Sequence, residues 1–162
     1  ELIKIMTNNS NLKYSILNLS NVYGPRQDPT NPYSGVISIF TKRILCGTTI
    51  TINGGHQTRD FVYIDDVVKA LTAAIRNIKE KPVCLVSNVL TGNETSIDDL
   101  ASILMDLIGQ KVGVNRRELA KGDPKISNGD IRTMQSLLGF TASTPLRDGL
   151  KSTIDWMAKD AP

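Results

Sequence analysis

Residues 54–66 read GGHQTRDFVYIDD, and the order of residue types there decides how the chain folds around them. The β-branched run at 48–53 reads as a short strand, which Gly54 and Gly55 close with a tight turn. A polar turn and a second extended segment follow. Asp65 then stands as the N-cap of a helix carrying Val67, Leu71, Ala74 and Ile78 on one face. A glycine turn that brings a pyrophosphate to a helix N-terminus runs from strand through glycines directly into helix. Here extended chain comes next, so the unit is strand, turn, strand, helix, with Arg59 just after the glycines.

Upstream, residues 14–20 form a continuous, mostly apolar run, the mark of a strand buried on both faces. Residues 21–32 are rich in Gly, Pro, Asn and Asp and read as a loop. Val36, Ile37, Phe40 and Ile44 recur at helical spacing, and Gly47 offers a stop. Residues 2–8 read as the tail of an earlier helix. Downstream, residues 83–89 are a second buried strand. A helix starts near Ser96 and Asp99, which stand at capping-box spacing. It buries Ile97, Leu100, Leu104, Leu107 and Ile108 and stops at Gly109. Residues 111–128 are polar and irregular, and 130–138 form a short helix ended by Gly139. Thr144 caps a last helix, with Pro145 in its first position and Leu146, Leu150, Ile154 and Met157 on its apolar face. The whole is a mixed α/β arrangement without a linker. Single strands between helices favour parallel pairing, but they are too few to close a dinucleotide-binding sheet.

Composition narrows the function. The 162 residues are 40% hydrophobic and 22% charged, ordinary for a globular domain. A net charge of +3, with no basic run longer than a pair, argues against a nucleic-acid partner. No apolar run reaches membrane-spanning length. The two cysteines, Cys46 and Cys84, fall in apolar runs and read as buried, reduced thiols, which favours a reducing, cytoplasmic setting. A single histidine rules out a multi-histidine metal site, and His56 itself reads as an exposed turn residue. The chain begins mid-pattern without an initiator Met, as a piece of something longer would. It has no GxGxxG. Tyr14, Tyr23, Tyr33 and Tyr63 are followed four positions on by Asn18, Gln27, Ile37 and Val67, never by lysine. No nucleophile elbow flanks His56.

Three motifs carry a resemblance: residues 19–27 (LSNVYGPRQ), residues 54–67 (GGHQTRDFVYIDDV), and Gly122-Asp123-Pro124 with Asp130, followed by Leu138-Gly139-Phe140 and Thr153-Ile154-Asp155-Trp156. In order and spacing they resemble the C-terminal portion of NAD-dependent nucleotide-sugar epimerases and dehydratases, of the extended short-chain dehydrogenase/reductase family. The match runs from about residue 17 to 156, and its details are most similar to the UDP-glucose and UDP-N-acetylhexosamine 4-epimerases. The resemblance implies the last part of a Rossmann-type fold plus the smaller C-terminal α/β substrate-binding domain. Residues 1–162 would be one substrate-binding portion. The NAD-binding domain, the glycine-rich loop and the catalytic tyrosine and lysine would lie upstream, outside this chain. The cofactor would be NAD, the ligand a UDP-sugar, and the whole protein a homodimer. Hydride would leave the sugar C4 for NAD and return to the other face. An apolar face where the missing domain docks is expected.

By the same resemblance, Arg59 matches the arginine that binds the nucleotide diphosphate; its other reading is a salt bridge to Asp60 or Asp65. Asn21 matches the asparagine near the sugar-nucleotide phosphates, and also suits a turn. Val36 and Ile37 lie where relatives hold the nucleobase, although periodicity makes them core. Ile52 and Asn53 match the residues flanking the uracil, where many relatives have an aromatic at the Asn53 position. Lys121 and Asp123 match the Gly-Asp segment, but relatives carry an arginine where this chain has Ala120, and Lys121 offers no bidentate fork. Many relatives also have an arginine where this chain has Asn18. Ser20 and Tyr23 fall on the cofactor side. Asp65 and Asp66 read as helix-start residues, not as an acid/base pair. Two other functions stay open: a 4,6-dehydratase or another dTDP- or GDP-sugar enzyme of the family, and a non-catalytic nucleotide-binding module.

Overall fold

Parallel strand pairing organises the chain in a computed structural model that describes residues 2–7, 13–31, 35–80 and 84–159. Helix α1 spans Leu2–Thr7, and strand β1, Ser15–Leu19, pairs in parallel with β6, Leu85–Val89. The chain then changes partner. The Ser20 N–H donates to the Val89 carbonyl at 3.0 Å, and the Asn21 N–H donates to the Asp60 carbonyl at 3.2 Å. Strand β2, Asn21–Tyr23, runs parallel to β5, Phe61–Tyr63. The loop expected from residue 21 therefore begins as a strand. Strand β3, Ile50–Asn53, pairs in parallel with β8, Val114–Arg117. The short β4, Thr58–Arg59, lies between β7, Thr95–Ser96, and β9, Ile126–Ser127.

Five helices and a π-helical turn cover these strands among the described residues: α1, then α2 Val36–Leu45, α3 Ile64–Glu80, α4 Ile97–Ile108, the turn Met134–Leu138, and α5 Leu146–Lys159. All three residues of β5 are buried, because the strand has a core on each face. Phe61 and Tyr63 join Ile37, Ile44, Ile50, Leu100 and Leu150, whereas Val62 joins Val67, Ala70, Leu85, Val89 and Met134. Each fully buried Ile or Leu here contributes about 1.5–3 kcal/mol relative to exposure. Helix α4 starts as its sequence requires: Ser96 Oγ accepts from the Asp99 N–H at 3.0 Å and donates to the Asp99 carboxylate at 2.6 Å. Gly109 ends it in the left-handed region at φ 72°.

Several expectations are corrected. Residues 111–128 contain β8 and β9, which the sequence hides because all four β8 residues are exposed and pair through the backbone alone. Asp65 is not an N-cap: α3 already begins at Ile64, so Asp65 and Asp66 both lie in its first turn. Leu71 is 45% exposed and forms, with Val68 and Ile75, a stripe outside the core. Cys46 follows the end of α2 and Cys84 precedes β6, and both are exposed free thiols rather than buried ones. The last helix begins after Pro145, whose carbonyl receives the Gly149 N–H at 3.1 Å. The expected helix at 130–138 narrows to the π-helical turn before Gly139. Asn8, Val83 and the loop residues Pro32, Tyr33 and Ser34 lie outside the described residues. No helix among the described residues is long and apolar enough to cross a membrane.

Candidate functional site

A cavity of about 340 Å³ opens where β2 begins and β3 and β4 end, beside α2 and α4. Its walls combine apolar groups (Val36, Ile39, Phe40 and Ile97) with polar ones (Asn21, Thr51, Asn53, Gln57, Arg59 and Asp123). The alternation of β3 explains the mixture. Ile50 and Ile52 turn into the core, while Thr51 and Asn53 face the cavity.

Arg59 is its best-anchored side chain, with 13% exposure. Its Nη1 donates to the carbonyls of Thr58 and Pro124, both at 2.8 Å, and its Nη2 donates to Asp123 at 2.6 Å. The Nε–H and one Nη2–H have no partner among the described residues. The ion pair is thus with Asp123, not with Asp60 or Asp65. Asp60 points the other way because neighbours on an extended strand alternate. Its buried carboxylate accepts the Thr91 N–H at 2.9 Å, the Thr91 hydroxyl at 3.0 Å and the Gly92 N–H at 2.7 Å. Its carbonyl accepts the Ser20 hydroxyl at 2.8 Å and the Asn21 amide at 3.2 Å. Asp60 therefore locks the segments on either side of Arg59, a role that sequence reading missed.

The glycine turn supports the site from below. Gln57 Oε1 accepts the Gly55 N–H and its Nε2 donates to the Asn53 carbonyl, both at 2.6 Å. The Gly55 carbonyl receives the Asp98 N–H at 3.0 Å, so the turn rests on the start of α4. Asp98 pairs with Arg116 of β8 at 2.9 Å. His56, fully exposed as expected, stands 3.7 Å from the same carboxylate.

Of the residues expected from sequence, Asn21, Val36, Asn53, Arg59 and Asp123 come together here. Ile37 lines an adjoining hollow of about 190 Å³ with Asn21, Val36 and Gln27, and most of its side chain is core. Ile52 is 1% exposed and packs into the core, leaving Thr51 and Asn53 to face the cavity. Lys121 is exposed in the turn closed by the Asp123 N–H to the Ala120 carbonyl, outside the cavity wall. Ser20 has its hydroxyl committed to Asp60. Tyr23 is 3% exposed, and its hydroxyl donates to the Leu146 carbonyl at 3.3 Å. Burial pushes that phenol well above the ordinary tyrosine range, with Tyr63, Asp66 and Asp148 adding to the shift. Thr51, Ile39, Phe40, Gln57 and Ile97 were missed. Period-two spacing from Asn53 would have found Thr51, and period-four spacing from Val36 would have found Phe40.

The sequence model of the NAD dependent epimerase/dehydratase family matches residues 1–89. The chain belongs to that family. It is 39% identical over 158 residues to a putative UDP-glucose 4-epimerase of Methanocaldococcus jannaschii, covering 97% of this chain and 50% of that protein. Among solved structures it matches a UDP-glucose 4-epimerase of Thermotoga maritima with UDP-glucose. The TM-score there is 0.91 at 36% identity, over 98% of this chain and 50% of the other. A UDP-glucuronic acid 4-epimerase of Bacillus cereus, in complex with UDP-glucuronic acid and NAD, matches with TM-score 0.87 and 31% identity, over 98% and 49%. The Rossmann-related α/β class expected from sequence is thereby met. The chain spans about half the length of the proteins it matches.

NAD serves this family, but the residues described here do not fit its pyrophosphate. Gly54 and Gly55 lead into β4 rather than a helix. A Cβ on Gly55 would lie 2.4 Å from the Asp98 carboxylate, so the turn is closed against α4 by an acid.

Proposed function

We propose that this chain is the nucleotide-sugar-holding portion of a UDP-sugar 4-epimerase, working with an NAD-binding portion beyond these residues. The observation that carries the reading is the cavity itself. A deeply set guanidinium with two free N–H groups faces an apolar wall, the combination a diphosphate joined to a flat base requires. The relatives named above support the UDP-sugar. In this reading Arg59 holds the diphosphate, and Asn21 and Asn53 present amides beside it. Val36, Ile39 and Phe40 pack against the base, and Lys121 stands outside as a long-range charge. Gripping the non-reacting nucleotide supplies binding energy for positioning the sugar. None of these residues has a role in moving hydride or protons.

The full-length protein should interconvert UDP-glucose and UDP-galactose, or their N-acetyl counterparts, with NAD bound, and the isolated chain should not. Chromatography of products after incubation with each UDP-sugar tests this. A 4-keto-6-deoxy product would make the protein a dehydratase, and turnover by the isolated chain would overturn the division of labour. The reading extends to a cytoplasmic homodimer, for which two free, exposed thiols suit a reducing compartment.

A further inference from the structure

The charge balance of the cavity leaves a gap. Arg59 and Asp123 are its only ionic wall residues among those described, and they neutralise each other at 2.6 Å. A diphosphate entering it brings negative charge that this pair, as it stands, does not offset.

Strand β8 carries two arginines next to β3. It lies in parallel register beside β3, with Ile52 opposite Arg116 and Asn53 opposite Arg117. Paired residues on adjacent strands project to the same face, and the strands are about 4.8 Å apart. Arg116 follows Ile52 toward α4 and pairs with Asp98 at 2.9 Å. Arg117 therefore shares the face of Thr51 and Asn53, both of which line the cavity. Its backbone is fixed there, because its carbonyl receives the Gly54 N–H at 2.8 Å. The side chain is exposed and has no ion pair or hydrogen bond among the described residues. Two consecutive arginines thus separate into a structural one and an uncommitted one at the rim of the site.

We propose that Arg117 is a binding residue of this site, the cation that meets the ligand's diphosphate alongside Arg59. The proposal rests on the nucleotide-sugar reading. A guanidinium suits the task because its planar fork can hold two phosphate oxygens at once. Arg117 needs no release from a carboxylate to do so, whereas Arg59 is already engaged.

Calorimetric titration of UDP into the full-length protein tests it, at low and moderate salt. Arg117→Gln should raise Kd about tenfold, the scale of one charged hydrogen-bonded contact, and should flatten the salt dependence. Arg117→Lys should recover part of the loss. Lys121→Gln should leave Kd within about twofold. Unchanged affinity in Arg117→Gln, or a loss confined to Lys121→Gln, would overturn the assignment while leaving the nucleotide site in place. Failure of the unsubstituted protein to bind UDP would instead remove the site reading, and this proposal with it.

Discussion

Asp66 shows how much of this fold hangs on single carboxylates. It is completely buried, accepts the Ser143 N–H at 3.0 Å and the Thr144 N–H at 2.8 Å, and meets Lys69 at 3.0 Å. Burial alone would raise its pKa. The hydrogen bonds from Thr144 and Lys69, with the lysine charge, outweigh it and hold the carboxyl below the ordinary range. A carboxylate with a depressed folded-state pKa stabilises the fold above its unfolded value, and that stability is lost as pH falls through the folded value. Melting temperatures recorded downward from pH 7 should therefore fall more steeply below about pH 4 in the unsubstituted protein than in Asp66→Asn, which is less stable at pH 7. Parallel curves would show that the charge contributes nothing. The sequence places Asp66 at the helix start but does not show that it also fastens the segment before α5, 77 and 78 residues away.

Elements explain which parts of the site could be read in advance. Strands buried on two faces, such as β5, announce themselves as apolar runs, and α4 announces itself through Ser96, Asp99 and Gly109. Strand β8 gives no such signal, because its exposed Val-Asn-Arg-Arg run carries no face. Arg59 and Asn21 were legible through motifs, while the partner of Arg59 was not: Asp123 lies 64 residues on, brought back by β9. Apolar neighbours made Cys46 and Cys84 look buried, yet each sits just outside its element, where the core pattern has already ended. The glycine turn was legible as a turn but not in its purpose, which is close approach to α4. Gly55 has φ 126°, and an added Cβ would collide with Asp98. Gly55→Ala should cost about 1–3 kcal/mol of stability and loosen the Arg59 segment. Denaturant unfolding measures the first effect, and an alanine protein as stable as the parent would contradict the geometry.

At the scale of the molecule, the described chain leaves several large apolar side chains in solvent. Leu2, Ile5 and Met6 of α1, Leu19 of β1, Val86 of β6, and Val68, Leu71 and Ile75 of α3 are all at least 40% exposed. Strands of parallel sheets are normally covered on both faces, yet Leu19 and Val86, which point to opposite faces of the β1–β6 pair, are both exposed. Expressed alone, the chain should self-associate in a concentration-dependent way on light scattering, and Val68→Lys with Ile75→Glu should reduce it. A dilute, strictly monomeric chain would show that these apolar groups need no cover. The nucleotide site proposed for the cavity stands on Arg59. Calorimetry with UDP on the full-length protein should show Arg59→Ala weakening binding by about 1.5–3 kcal/mol, roughly 10- to 150-fold in Kd, with the protein still folded. UDP affinity left unchanged by that substitution would mean that Arg59 does not hold the diphosphate.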